Sequence, residues 1–104
     1  MEKIKLFNVS ELEPQIGKKV FVKDEEIGIF LLESGEIKAI GNRCPHKNGP
    51  LTEGTVSEHY VFCPLHDRKI DLNDGQVQAP DEADGCVSTY KVEVDNGELF
   101  IWID

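Results

Sequence analysis

The sequence predicts an all-β domain. Three observations carry that reading: strand-length runs rich in β-branched and aromatic residues, a period-two alternation near the C-terminus, and short turns of Ser, Asn, Asp and Gly between them. Helical signals are weak by comparison. Ser10 is placed to cap a single turn through Glu11-Leu12-Glu13, and Pro14 and Gly17 leave little room to extend it. Lys18 to Lys23, Ile27 to Leu32 and Glu36 to Ile40 then read as strands, with Ser34-Gly35 as the hairpin turn joining the last two. From Gly41 to Gly85 the residues Gly, Pro, Asn and Asp are frequent and periodicity is poor, so this stretch reads as loops projecting from a β scaffold. Tyr90, Val92 and Val94 alternate with Thr89, Lys91 and Glu93, the pattern of a strand with one buried face. Asp95-Asn96-Gly97 turns the chain into Glu98 to Ile103 and completes a terminal hairpin.

At 104 residues the chain is the size of one domain, and no repeat, low-complexity tract or linker-like run marks a boundary within 1–104. The longest apolar run, Ile27-Gly28-Ile29-Phe30-Leu31-Leu32, is far short of a membrane span, and the first residues lack the apolar region and cleavage site of a secretory signal. A soluble, cytoplasmic protein is expected. Eleven Lys and Arg against 20 Asp and Glu give a net charge of −9, which disfavours nucleic acid and anionic membranes as partners.

Two fragments carry the chemistry. Cys44-Pro45-His46 and Cys63-Pro64-Leu65-His66 each offer one thiolate and one imidazole, and both lie in the loop-rich segment of about 41–85. Together they form a set of two sulfur and two nitrogen donors, suited to a tetrahedral zinc site or to an iron–sulfur cluster of mixed ligation. With these two cysteines as ligands only Cys86 remains, so no intrachain disulfide is available, in keeping with a reducing compartment. Proline after each cysteine fixes its own φ and pushes the cysteine toward extended backbone, stiffening the loop. Gly41, Gly49 and Gly54 let the chain turn tightly or approach a metal group closely, and nearby amides are expected to point at sulfur. Structural zinc sites draw mostly on wider Cys-x₂₋₄-Cys and His-x₃₋₅-His spacings, which leaves zinc the weaker alternative.

The run from Asn42-Arg43-Cys44-Pro45-His46 to Cys63-Pro64-Leu65-His66 resembles the two cluster-binding loops of Rieske iron–sulfur domains. Cys63 to Leu72, continuing through Gly75-Gln76-Val77-Gln78-Ala79-Pro80, is similar to the small subunit of assimilatory NAD(P)H-dependent nitrite reductase, itself a stand-alone domain of about this length. The resemblance implies an antiparallel β-sandwich or barrel base with a cluster-binding subdomain and one Rieske-type [2Fe–2S] cluster. Cys44 and Cys63 would bind one iron, and His46 and His66 the other. It further implies an electron-transfer subunit of an oxidoreductase, not catalytic alone, working with a large subunit that holds flavin, a [4Fe–4S] cluster and sirohaem. A single cluster carries one electron at a time, nitrite reduction to ammonium takes six, and the chain has no dinucleotide fingerprint, so no catalytic residue is assigned. The alternatives are a free Rieske ferredoxin serving an aromatic-ring oxygenase and a zinc-bound or cluster-free interaction module.

Replacing two thiolates of a four-cysteine cluster with neutral imidazoles removes two negative charges. At about 4 Å and an effective dielectric of about 20 each is worth roughly 4 kcal/mol, so the pair raises the potential by about 0.3 to 0.4 V. Respiratory Rieske proteins add a disulfide and two hydroxyl donors to sulfur, and the matching positions here are Gly49 and Leu65, then Arg68 and Ile70. Without those donors the expected potential lies at the low end of the range, around −150 mV or below. Many Rieske loops have Gly directly after the second His, where this chain has Asp67. His59 reads as a surface residue on a strand, Cys86 as a partly buried structural thiol, and Phe100 and Trp102 as packing in a core or a subunit contact. Arg43, Lys47, Arg68 and Lys69 flank the ligands, as a docking collar for an acidic partner or as solvated loop charge.

Overall fold

The run Ile27 to Leu32 is apolar without alternation, and in the computed structural model, which describes residues 1–104, the strand it forms is covered on both faces. In chain order the strands are β1 (Glu2–Asn8), β2 (Lys18–Val22), β3 (Glu25–Leu31), β4 (Ile37–Gly41), β5 (Thr55–Ser57), β6 (Tyr60–Phe62), β7 (Lys69–Asp71), β8 (Thr89–Tyr90), β9 (Val92–Asp95) and β10 (Glu98–Ile103). They build three antiparallel sheets, ordered β1-β10-β9, β2-β3-β4-β8 and β5-β6-β7.

The four-stranded sheet is the middle layer. Ile27, Ile29 and Ala39 face one way and pack with Leu99, Ile101 and Ile103 of β10, closing the sandwich. Phe30 and Ile40 face the other way, into a second core with Leu51, Val61, Ile70, Leu72, Val77 and both Cys44 and Cys63. Strand β3 thus serves two cores with alternate residues, and only an unbroken apolar run satisfies both. The terminal turn forms where the sequence predicts, with Asn96 and Gly97 at φ 55° and 82°, the positive angles a tight two-residue turn needs, but the expected single strand of Thr89 to Val94 with one buried face divides at Lys91 into β8, which pairs with β4, and β9, which pairs with β10, and Val94 is exposed. Gly35, at φ 95°, sits in the turn between β3 and β4.

Several elements differ from expectation. Strand β1 pairs with β10 at the far end of the chain, and a register shift between Lys5 and Phe7 breaks its alternation. Strands β5 to β7 occupy the segment that reads as loops, because three-residue strands are too short to show a period. The first helical turn is 3₁₀, at Val9–Glu11, and its cap is Asn8, whose Oδ1 accepts the Ser10 N–H at 2.9 Å, with Ser10 inside the turn. His59 lies in the turn between β5 and β6. Phe100 and Trp102 alternate with the buried Leu99, Ile101 and Ile103 and so face outward beside Lys3, outside either core. No helix is long and apolar enough to cross a membrane.

Candidate metal centre

Each cysteine sits just past the end of a buried strand. Cys63 follows β6 directly, and Cys44 follows β4 after Asn42 and Arg43. The two loops then close in the same way. The Cys44 carbonyl accepts the Asn48 N–H at 2.8 Å while the Cys44 N–H donates to the Gly49 carbonyl at 2.9 Å. The Cys63 carbonyl accepts the Asp67 N–H at 2.9 Å while the Cys63 N–H donates to the Arg68 carbonyl at 2.9 Å. The fourth residue after each cysteine is left-handed, Asn48 at φ 58° and Asp67 at φ 54°. Asn and Asp are the non-glycine residues that tolerate this conformation best, which accounts for Asp67 where glycine is common.

The structure pairs the two cysteines in one core and the two imidazoles ring to ring. Cys44 and Cys63 are fully buried in the same core, and burial is the chief cause holding the Cys44 thiol above its ordinary range. The backbone amides of His46 and Lys47 act in the opposite sense and favour its thiolate, the role expected of amides near sulfur. The imidazoles of His46 and His66 lie outside the thiols, with ring centroids 5.0 Å apart and planes at 87°. His66 is exposed, whereas His46 is half-buried and its Nδ1 is shielded without a hydrogen-bond partner.

These details fit a two-iron cluster. An orphaned buried imidazole nitrogen and two desolvated thiols are donors awaiting acceptors, and a Cβ on Gly49 would lie 2.8 Å from Cys63 Sγ, so the loop approaches the sulfur as only glycine allows. Of the other two glycines singled out by the sequence, Gly54 is fixed by the Phe62 carbonyl of β6, against which a Cβ would collide, and Gly41 has ordinary room.

Asn42, in the sequence only the first residue of the ligand run, is an anchor of the first loop. It is 1% exposed, and its side chain accepts the Thr52 N–H at 2.8 Å and donates to Glu26 Oε2 at 2.7 Å. Its backbone N–H donates to the Glu26 carbonyl and its carbonyl accepts the Leu51 N–H, so the first loop is anchored to β3 before the cysteine is reached. The Glu26 carboxyl is held below its ordinary range, first by Asn42 and then by Arg43.

The flanking cations are engaged within the chain. Arg43 Nη2 lies 3.0 Å from Glu26 Oε1 and its Nη1 donates to the Asn48 carbonyl; Arg68 Nε donates to Asp84 Oδ2 at 2.7 Å; Lys69 Nζ stands 4.1 Å from the Tyr60 ring centroid. Lys47 is exposed and has no salt bridge, and Leu65 and Asp67 are exposed on the second loop. Asp84 is held below the ordinary carboxylate range chiefly by Arg68, with His46 adding to the effect, and Arg68 is held high chiefly by Asp84, with Asp81 and the Cys44 sulfur adding. Cys86 is exposed, not partly buried, because its strand-like bridge to Gln76 lies at the surface. His59 stays apart from the four residues, 3.8 Å from Asp71 and against Tyr60.

Comparison with known proteins agrees with this geometry. Residues 2–91 match the family model described as the Rieske [2Fe-2S] domain. Apoptosis-inducing factor 3 of Mus musculus is 32% identical over 84 residues, covering 81% of this chain and 12% of that protein. The 3-phenylpropionate/cinnamic acid dioxygenase ferredoxin subunit of Shigella flexneri serotype 5b is 38% identical over 68 residues, covering 64% of this chain and 63% of that protein. The chain thus spans less than two thirds of the length of these relatives. A solved structure assigned to the small subunit of an NADPH nitrite reductase superposes with a TM-score of 0.88 at 27% identity, covering 99% of this chain and 100% of the other. Matched along most of its length and built on the same antiparallel sheets, the chain belongs to the Rieske [2Fe-2S] domain family, electron-transfer domains whose cofactor is a two-iron, two-sulfur cluster.

Proposed function

We propose that this chain is the electron-transfer small subunit of an assimilatory NAD(P)H-dependent nitrite reductase, with Cys44 and Cys63 on one iron and His46 and His66 on the other. The observation that carries the reading is the end-to-end likeness to a protein assigned to that role, 99% of one chain against 100% of the other at 27% identity. The run from Cys63 to Pro80 supports it from the sequence side.

When bound, the cluster accepts and releases one electron. The rest of the work falls to the protein. Burial of Cys44 and Cys63 keeps water from the sulfurs, while exposed His66 at the loop tip puts an imidazole edge at the surface a redox partner would touch. A neutral donor pair on the outside also keeps the exposed side of the centre free of thiolate charge. Reduction of nitrite itself takes place on the large subunit, which supplies the other cofactors.

Electron paramagnetic resonance of the dithionite-reduced protein tests the ligands: mixed Cys/His ligation gives an average g below 2.0, and iron-replete protein without that signal would sink the assignment. Co-purification with a sirohaem-containing large subunit, and restored NAD(P)H-dependent nitrite reduction on mixing, test the partner. The second reading is a free ferredoxin for an aromatic-ring oxygenase, favoured by the 38% identity to a dioxygenase ferredoxin subunit. Support of oxygenase turnover with no effect on a nitrite reductase large subunit would establish it instead.

A further inference from the structure

We propose that Arg68 and Asp84 are a positioning pair that ties the second ligand loop to the segment 78–85 and sets the potential of the centre through opposed charges. The proposal rests on the ligand assignment above. Arg68 is where that loop closes: its carbonyl accepts the Cys63 N–H at 2.9 Å, its Nη1 lies 3.4 Å from the His66 carbonyl, and its Nε donates to Asp84 Oδ2 at 2.7 Å. Asp81 Oδ1 is 3.7 Å from the same Nε. Asp84 belongs to the 3₁₀ turn Glu82–Asp84, and the chain around it is fastened by backbone hydrogen bonds from Gln78 to Lys69 and from Val77 to Gly85. One guanidinium therefore joins the loop carrying Cys63 and His66 to a third segment.

Counting hydroxyl donors, the sequence shows Arg68 only as a missing one. Its place in the structure gives it a different part. Reduction, with dithionite as the electron source, adds one electron to the cluster. A nearby positive charge stabilises the reduced form and a nearby negative charge opposes it. The side chains of Arg68 and Asp84 are only 22% and 27% exposed, so solvent screens them in part. Removing the guanidinium leaves two carboxylates uncompensated and favours the oxidised centre. Neutralising Asp84 frees more of the guanidinium charge and favours the reduced one. A brace without electrostatic effect would slacken the loop in both cases and could not send the two shifts in opposite directions.

The test is a potentiometric titration of the cluster-loaded full chain, followed by visible circular dichroism and electron paramagnetic resonance, for the parent, Arg68→Gln, Arg68→Lys and Asp84→Asn. At fixed ambient potential the ratio of reduced to oxidised protein should fall about tenfold in Arg68→Gln and rise about tenfold in Asp84→Asn, 59 mV each way for one electron. Arg68→Lys, which keeps the charge, should stay near the parent. Shifts of the same sign in Arg68→Gln and Asp84→Asn, or none in either, overturn the proposal. If Arg68→Gln does not retain iron, Asp84→Asn and Arg68→Lys decide it: an upward shift in the first with the second unmoved supports the pair, and a downward or absent shift in the first overturns it. A parent protein lacking an average g below 2.0 means that the ligand assignment has failed, whereas a parent with that signal whose variants do not diverge means that only the pair has failed.

Discussion

Replacing Gly49 with alanine tests how tightly the first loop is set against the second. The new Cβ would lie 2.8 Å from Cys63 Sγ, 3.0 Å from Leu65 Cγ and 3.2 Å from Leu65 Cδ1. Ordinary carbon contacts begin at about 3.5 Å, so roughly 0.7 Å or more must be found on the sulfur side. Leu65 is 52% exposed and can swing away at small cost. Cys63 Sγ cannot, if it is held by iron. Nor can Gly49 withdraw freely, because its carbonyl accepts the Cys44 N–H, and moving it would disturb the other thiol. The overlap falls in the range of overpacked cores, about 1–3 kcal/mol. For a domain near 100 residues each kcal/mol shifts the melting temperature by about 4–8 °C, so a midvalue of about 2 kcal/mol lowers it by about 8–16 °C.

The control is Gly41→Ala, whose Cβ would meet Ser88 N at 3.8 Å and Val87 Cβ at 4.0 Å, ordinary contacts. Neither glycine has a positive φ, so backbone strain does not separate the two variants. Gly41→Ala should be neutral or gain about 0.4–1 kcal/mol from the unfolded chain. Thermal melts of the iron-loaded proteins, read by visible absorption for the cluster and far-ultraviolet circular dichroism for the fold, measure both. A Gly49→Ala protein that keeps its full iron content and melts within about 2 °C of the parent would refute the reasoning, since that shift is below about 0.5 kcal/mol.

His66→Cys should add one negative charge to the centre and lower the midpoint by about 0.2 V, from roughly 4 kcal/mol at about 4 Å and a dielectric of about 20; an unchanged midpoint in a redox titration would remove His66 from the ligand set. Asn42→Ala leaves the Thr52 N–H without its acceptor and should lower the unfolding free energy from urea titration by about 1–3 kcal/mol, with loss of cluster well before global unfolding. Asn42 and Arg43 hold the Glu26 carboxyl below the ordinary glutamate range, so the stability it contributes is present above its unfolded-state value and is lost as pH falls through its lowered value; Glu26→Gln should flatten the acid limb of the unfolding curve. Phe30→Ala, emptying the fully buried site between the middle sheet and the ligand subdomain, should cost about 3–5 kcal/mol by chemical denaturation.

Strands with local signals were legible in the sequence. The β3–β4 hairpin and the terminal hairpin declare themselves through branched residues and turn glycines, and both appear with strand ends shifted by at most three residues, β10 by none. What was not legible depends on distant partners. Strand β1 exists because β10 receives it, and the shift at Lys5 to Phe7 erases the alternation that would have announced it. Strands β5 to β7 are held by each other and by the apolar core behind them, with three residues apiece. The donor set stood out because two cysteines and two histidines at matched spacing have few other uses. The surrounding charges did not, since a cation beside a motif looks the same whether it faces solvent or, like Arg43 and Arg68, a carboxylate folded in from elsewhere.

That difference bears on how the loops can vary. Both close on their own backbone, cysteine carbonyl to the fourth residue and cysteine N–H to the fifth, and both turn through a left-handed residue. The geometry at sulfur is therefore set by main-chain bonds and by the strands that precede each cysteine, not by the identity of the tip side chains. Asp67 can replace glycine without changing the closure, because its cost is a modest left-handed strain and its charge points to solvent. Gly49 has no such freedom, because its missing side chain is what admits Cys63. The outer residues are left to tune charge: Asp81 and Asp84 face Arg68 beside the second loop, Lys47 and Asp67 stand exposed at the tips, and the absent hydroxyl donors at Arg68 and Ile70 keep the expected potential at the low end of the Rieske range.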